Sequence, residues 1–133
     1  MKKIIIDTNF LVSALRFKID IFSELERICN FRYEICIVDQ TIGELEKLTE
    51  KEKLNDRKAA KMALEIIKKG KIKIIKNVSK NKRVKNVDLL ILELIKKGSF
   101  IVATQDKELK RQIKKKEVPL IVLRQKKYLK MVI

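Results

Sequence analysis

The amino-acid sequence predicts an α/β fold of three layers, with a central parallel sheet of about five strands covered by helices on both faces. Two observations carry that expectation. Ile4-Ile5-Ile6 is a run of β-branched apolar residues, the mark of a strand buried on both faces rather than one. Short apolar runs then alternate with segments of helical spacing along the chain, and strands separated by helices join through right-handed parallel crossovers. A length of 133 residues, 46% of them hydrophobic, fits one domain over residues 1–133 with a substantial core.

The first strand, Ile4 to Ile6, gives way at once to the helical spacing of Phe10, Leu11, Ala14 and Leu15, so Asp7, Thr8 and Asn9 occupy a strand-to-helix junction. One or two helices run on to Asn30, with Asp20 as a cap between them and Phe22, Leu25, Ile28 and Cys29 on an apolar face. Glu34 to Val38 reads as the second strand. A helix follows from Asp39 to about Thr49, and another from about Glu52 to Lys69, with Ala59, Met62, Ala63, Ile66 and Ile67 facing inward before Gly70 stops it. Lys71 to Lys76 alternates into a third strand. Asn77 to Lys85 is polar and basic and reads as the one long loop. A helix spans about Asn86 to Lys97, closed by Gly98. Phe100 to Ala103 is the fourth strand, Lys107 to Lys116 a helix, and Pro119 to Leu123 the fifth strand.

Composition narrows the function classes. Lys and Arg number 33 against 17 Asp and Glu, a net charge of +16, which favours a polyanionic partner. Adaptation to high temperature is the structural alternative for so many Lys and Ile residues. The chain has no His, which excludes Ser-His-Asp and Cys-His catalysis within it. Cys29 and Cys36 match no zinc spacing and read as reduced thiols of a cytoplasmic protein. The opening Met-Lys-Lys-Ile-Ile-Ile starts like a signal peptide, but Asp7 and Asn9 interrupt it, and no apolar run approaches a membrane span.

Four acids stand apart from the solvated charge of helix surfaces. Asp7 follows the first strand; Glu44 lies in Thr41-Ile-Gly-Glu-Leu45 after the second; Asp88 opens a helix; Asp106 follows the fourth strand. All belong near the carboxyl edge of the sheet, where open α/β sheets bind ligands. Each has a structural alternative: Asp7, Asp88 and Asp106 as helix caps, and Thr41 with Glu44 as a capping box. Clustered, four carboxylates would repel one another unless cations balanced them, and Mg²⁺ takes all-oxygen ligands. Paired metals roughly 4 Å apart serve in-line phosphoryl transfer, which needs no His or Cys nucleophile.

Asp7-Thr8-Asn9 after a buried strand, Glu44-Leu45, Asp88 at a helix start and Thr104-Gln105-Asp106 together resemble the PIN-domain nucleases. The resemblance spans essentially the whole chain. It implies a sheet order of 3-2-1-4-5, endonucleolytic cleavage of RNA, and a Mg²⁺ or Mn²⁺ site held by Asp7, Glu44, Asp88 and Asp106, with Asn9 and Thr104 as supporting polar groups. Val102 to Arg111 and Val118 to Arg124 look more like the archaeal proteins related to small-subunit rRNA-processing endonucleases. The toxins of toxin–antitoxin pairs usually carry a second Asp after the fourth acid, where this chain has Glu108. Leu89 stands where the rRNA-processing branch often has a further acid.

The expected activity is therefore a metal-dependent endoribonuclease acting on precursor rRNA or a ribosomal particle. Its alternatives are a toxin ribonuclease with an antitoxin partner, and a non-catalytic RNA-binding assembly factor of the same fold. A homodimer is a further expected assembly, and no membrane partner is expected. For RNA, Lys107, Lys110, Arg111 and Lys114 form a basic stripe on one helix face, and Lys82, Arg83 and Lys85 lie in the loop before Asp88. A solvated helix face is the alternative reading of the stripe.

Overall fold

A computed structural model describes residues 1–76 and 86–133. Its elements run β1 (Lys2–Ile6), α1 (Thr8–Arg16), α2 (Ile21–Ile28), β2 (Tyr33–Val38), α3 (Gln40–Leu48), α4 (Leu54–Lys68), β3 (Lys73–Ile75), α5 (Val87–Leu94), β4 (Phe100–Ala103), α6 (Lys107–Lys115), β5 (Leu120–Arg124) and β6 (Tyr128–Val132). They build one sheet in the order β3-β2-β1-β4-β5-β6. The first five strands in that order pair in parallel and β6 pairs antiparallel to β5.

β1 is central because its side chains have apolar partners on both faces. Ile4 pairs with Ile35 of β2 and Ile101 of β4, and Ile5 with Cys36 and Val102. Successive strand residues point to opposite faces, so Ile4 and Ile6 join Phe10, Leu11, Leu25, Ala60 and Ala63 in one core. Ile5 joins Leu90, Ile91, Leu109 and Ile113 in the other. Helices α1 to α4 cover the first face, and α5 and α6 the second.

Three details depart from the sequence expectation or add to it. Met62 is 50% exposed rather than inward, because α4 buries Ala59, Ala60, Ala63 and Ile67 instead, and these small residues bring it close to α1 and α3. Met62 sits on the lip of a cavity of about 320 Å³, lined also by Leu11, Leu15, Ile19, Phe22 and Ile66, and none of the four acids lines it. α5 ends at Leu94, since Ile95 turns extended (ψ 144°) and buries its side chain. The addition is β6. Gln125 and Lys126 both adopt left-handed backbone (φ 54° and 53°) to make its turn, without the Asn-Gly or Asp-Gly signal that such turns normally carry. The outer edge of β6 is covered by α2: Leu129 N–H donates to Glu24 Oε1 at 2.8 Å, and Arg27 donates to the Leu129 carbonyl at 2.8 Å.

Candidate active site

The junctions after β1, β2 and β4 lie along one edge of the sheet, and the hydrogen bonds there decide between capping and chemistry. Asp7 occupies the N-cap position of α1, yet its side chain makes no capping bond. It is buried at 4% exposure, and its Oδ2 accepts a hydrogen bond from Thr104 Oγ1 at 3.1 Å. Thr104, itself buried, accepts from the Asp106 N–H at 3.1 Å through the same hydroxyl, so one side chain ties two acids together. Asp106 is exposed and does cap α6, accepting from the Leu109 N–H at 2.8 Å.

Asp88 is no cap. Asn86 holds that position, its Oδ1 accepting from the N–H groups of Asp88 at 2.8 Å and Leu89 at 3.3 Å. Asn86→Ala is expected to cost about 1 kcal/mol of stability, the usual value of a lost cap, and to loosen Asp88. Thermal melting checks the first effect; an unchanged melting temperature would remove Asn86 from that role. Nor do Thr41 and Glu44 form a capping box. Thr41 lies buried inside α3, and Glu44 Oε1 instead accepts from Thr8 Oγ1 at 2.5 Å, with Thr41 Oγ1 3.4 Å from the same Thr8 oxygen. Thr8 thus carries a role that the sequence reading had not given it. The only signal was a β-branched hydroxyl residue between an acid and an apolar helix face.

The electrostatics join the four acids. Burial raises the Asp7 carboxyl from 3.8 to about 7, and the charges of Asp88, Glu44 and Asp106 push the same way, while the Thr104 bond opposes them. The Asp88 carboxyl is raised by burial and then by Asp106 and Glu44, and a hydrogen bond with Asp7 lowers it. Burial and mutual repulsion thus favour the protonated form of both Asp7 and Asp88.

Depth is graded. Asp7 is buried, Asp88 half-buried, and Glu44 and Asp106 are exposed; Asn9 is exposed in the first turn of α1, and no contact among the described residues ties it to the acids. Among the described residues no three acidic or thiol side chains draw together tightly enough to make a ready cage for an ion. The donor set is nevertheless all oxygen, and a buried carboxyl opposed by three neighbouring acids is the environment that a hard divalent cation stabilises.

The expected RNA-contacting residues fare unevenly. Lys107 and Lys114 are exposed and Lys110 is half-buried on α6. Arg111 is engaged by Glu108, with Nε donating at 3.1 Å, so its charge is partly neutralised. Lys82, Arg83 and Lys85 lie outside the described residues.

Comparison with known proteins agrees with this architecture. A family model described as "PIN like domain" matches residues 4–126. Ribonuclease VapC4 of Methanocaldococcus jannaschii is 35% identical over 129 residues, covering 96% of this chain and 95% of that protein. The human rRNA-processing protein FCF1 homolog is 28% identical over 126 residues; the match covers 94% of this chain but only 59% of that longer protein. Among solved structures, the PIN domain endonuclease Utp24 superposes with a TM-score of 0.77 at 28% identity, covering 97% of this chain and 90% of that one.

Proposed function

The chain belongs to the PIN domain family, and from that premise we propose that it is a divalent-metal-dependent endoribonuclease acting in rRNA maturation. The observation that carries the reading is Asp7: a buried carboxyl, tied by Thr104 to Asp106 and opposed by three further acids, at the carboxyl edge of the sheet. Asp7, Glu44, Asp88 and Asp106 would hold Mg²⁺ or Mn²⁺, which when bound supplies activation of water and neutralisation of phosphodiester charge.

The chain's own residues prepare that site. Thr104 fixes the spacing of Asp7 and Asp106 through one hydroxyl, and Thr8 aims the Glu44 carboxylate from the first turn of α1. Asp7 is buried away from bulk water, while Glu44 and Asp106 are exposed and accessible to a substrate. A proton on Asp7 competes with a cation for the same carboxylate oxygens.

Likeness to the FCF1 homolog, named as an rRNA-processing protein, supports the rRNA role, and likeness to the endonuclease Utp24 supports endonucleolytic cleavage. A toxin ribonuclease is the second reading, favoured by the match along nearly the full length of a protein named ribonuclease VapC4. The test is melting with and without Mg²⁺ or Mn²⁺, beside cleavage of a precursor rRNA fragment. Metal should raise the melting temperature, more at pH about 8 than at about 6, because proton and cation compete. Cleavage should need metal and stop with chelator. Cutting at one position of the rRNA precursor fits the first reading; broad cutting silenced by a co-expressed antitoxin fits the second. RNA binding without cleavage under any metal would overturn the enzyme and leave an assembly factor.

A further inference from the structure

We propose that the β5–β6 turn, Arg124 to Lys127, is a clamp for the RNA phosphate backbone, held in register with the acid site by Gln105; this rests on the ribonuclease reading above. Gln105 precedes Asp106 and makes a two-point amide bracket. Its Nε2 donates to the Leu123 carbonyl at 3.0 Å, and its Oε1 accepts from the Leu123 N–H at 2.8 Å. Leu123 is followed directly by Arg124, so each side of the bracket lies one residue from the group it connects. The turn therefore cannot drift away from Asp106 without breaking both bonds.

The turn is built to present charge. Arg124, Gln125, Lys126 and Lys127 are all exposed, and the Lys127 N–H closes the turn on the Arg124 carbonyl at 3.0 Å. Gln125 and Lys126 hold left-handed backbone that Asn or Gly would adopt with less strain, so a long cationic side chain stands where a small residue would be easier. Lys126 Nζ lies 5.5 Å from the centre of the Phe17 ring, and the Arg16 guanidinium lies 5.8 Å from the same ring, extending the basic band to the end of α1.

Carboxylates engage some of the surface cations, and those of the turn are not among them. Arg27, Lys73, Lys97 and Arg111 are each engaged by a carboxylate, and Arg16 by Asp56 at 3.5 Å. Among the described residues none of Arg124, Lys126 and Lys127 is in an ion pair. Unpaired cations beside a set of acids fit a polyanion whose scissile phosphate lies at the acids and whose flanking phosphates need countercharge. The contacts are to backbone and carry no sequence information.

The test measures binding of a labelled stem-loop RNA in chelator, across a salt series, for the parent and two triple variants. One variant carries Arg124→Gln, Lys126→Asn and Lys127→Gln; the other removes the same charge from the exposed face of α4 with Lys58→Gln, Lys61→Gln and Lys68→Gln. Each lost phosphate contact should flatten the slope of log affinity against log salt by about 0.7, so the turn variant should flatten it by about 2 while the α4 variant leaves it near the parent's. Lys126→Asn alone, which suits the left-handed backbone, should melt no lower than the parent and still flatten the slope by about 0.7. If the parent binds and cleaves RNA but the turn variant keeps its slope, or the α4 variant flattens equally, the clamp is wrong and the nuclease reading stands. A parent that binds no RNA would overturn both.

Discussion

Asp7→Asn is expected to lower RNA cleavage by about 10²- to 10³-fold while raising the melting temperature of the metal-free protein by a few degrees. The two effects have one source. Burial and three neighbouring acids raise the Asp7 carboxyl from 3.8 to about 7, which disfavours the folded, ionised form by about 4 kcal/mol at the ceiling. Asn removes that charge and keeps an oxygen for Thr104, so part of the penalty disappears, together with one of the four carboxylates proposed to hold the metal.

The pH dependence follows from the direction of the shift. A group whose carboxyl is raised in the folded state binds its proton more tightly there than in the unfolded chain. Asp7 therefore imposes no penalty below about 3.8, an increasing one as pH rises toward about 7, and the full one above that. The gap in melting temperature between variant and parent, measured in chelator, should widen across this window and then level off. A variant that melts lower than the parent at every pH, with cleavage intact, would make Asp7 a structural residue only.

Asp106 offers a test of capping against catalysis, because its observed cap and its proposed metal role fall on one side chain. Its Oδ1 accepts from the Leu109 N–H at 2.8 Å, a bond that Asn can reproduce and Ala cannot. Asp106→Asn should fold like the parent, and Asp106→Ala should lose about 1 kcal/mol of stability. Both remove the rim charge, so both should lose cleavage by about a hundredfold. Melting curves and cleavage rates on the same preparations give the comparison. Full activity in the Asn variant with loss only in the Ala variant would return Asp106 to the status of a cap.

Much of this architecture was legible because it depends on local pattern. Three consecutive isoleucines specify a strand buried on both faces whatever surrounds it, and the alternation of strands and helices leaves few ways to order a parallel sheet. The turn before β6 was not legible, since Gln125-Lys126 lacks the residues that favour left-handed backbone. Met62 was misplaced because its spacing fits the inward face as well as that of Ala60. Only the fit of small residues against α1 and α3 selects between them. The α6 stripe was read as uniform, yet Glu108 sits one helical turn from Arg111 and engages it.

The acids show where the boundary lies. Their positions at strand ends and helix starts are properties of the chain read in one dimension, and the sequence by itself determined that four carboxylates would approach one edge of the sheet. What each does there was decided by tertiary structure. Asn86 took the cap from Asp88, Thr8 drew Glu44 out of a capping box across 36 positions, and Thr104 reached Asp7 across 97. Desolvation and charge coupling act through space rather than along the chain, so whether a carboxyl at such a junction holds a helix or a proton depends on neighbours that folding alone brings within reach.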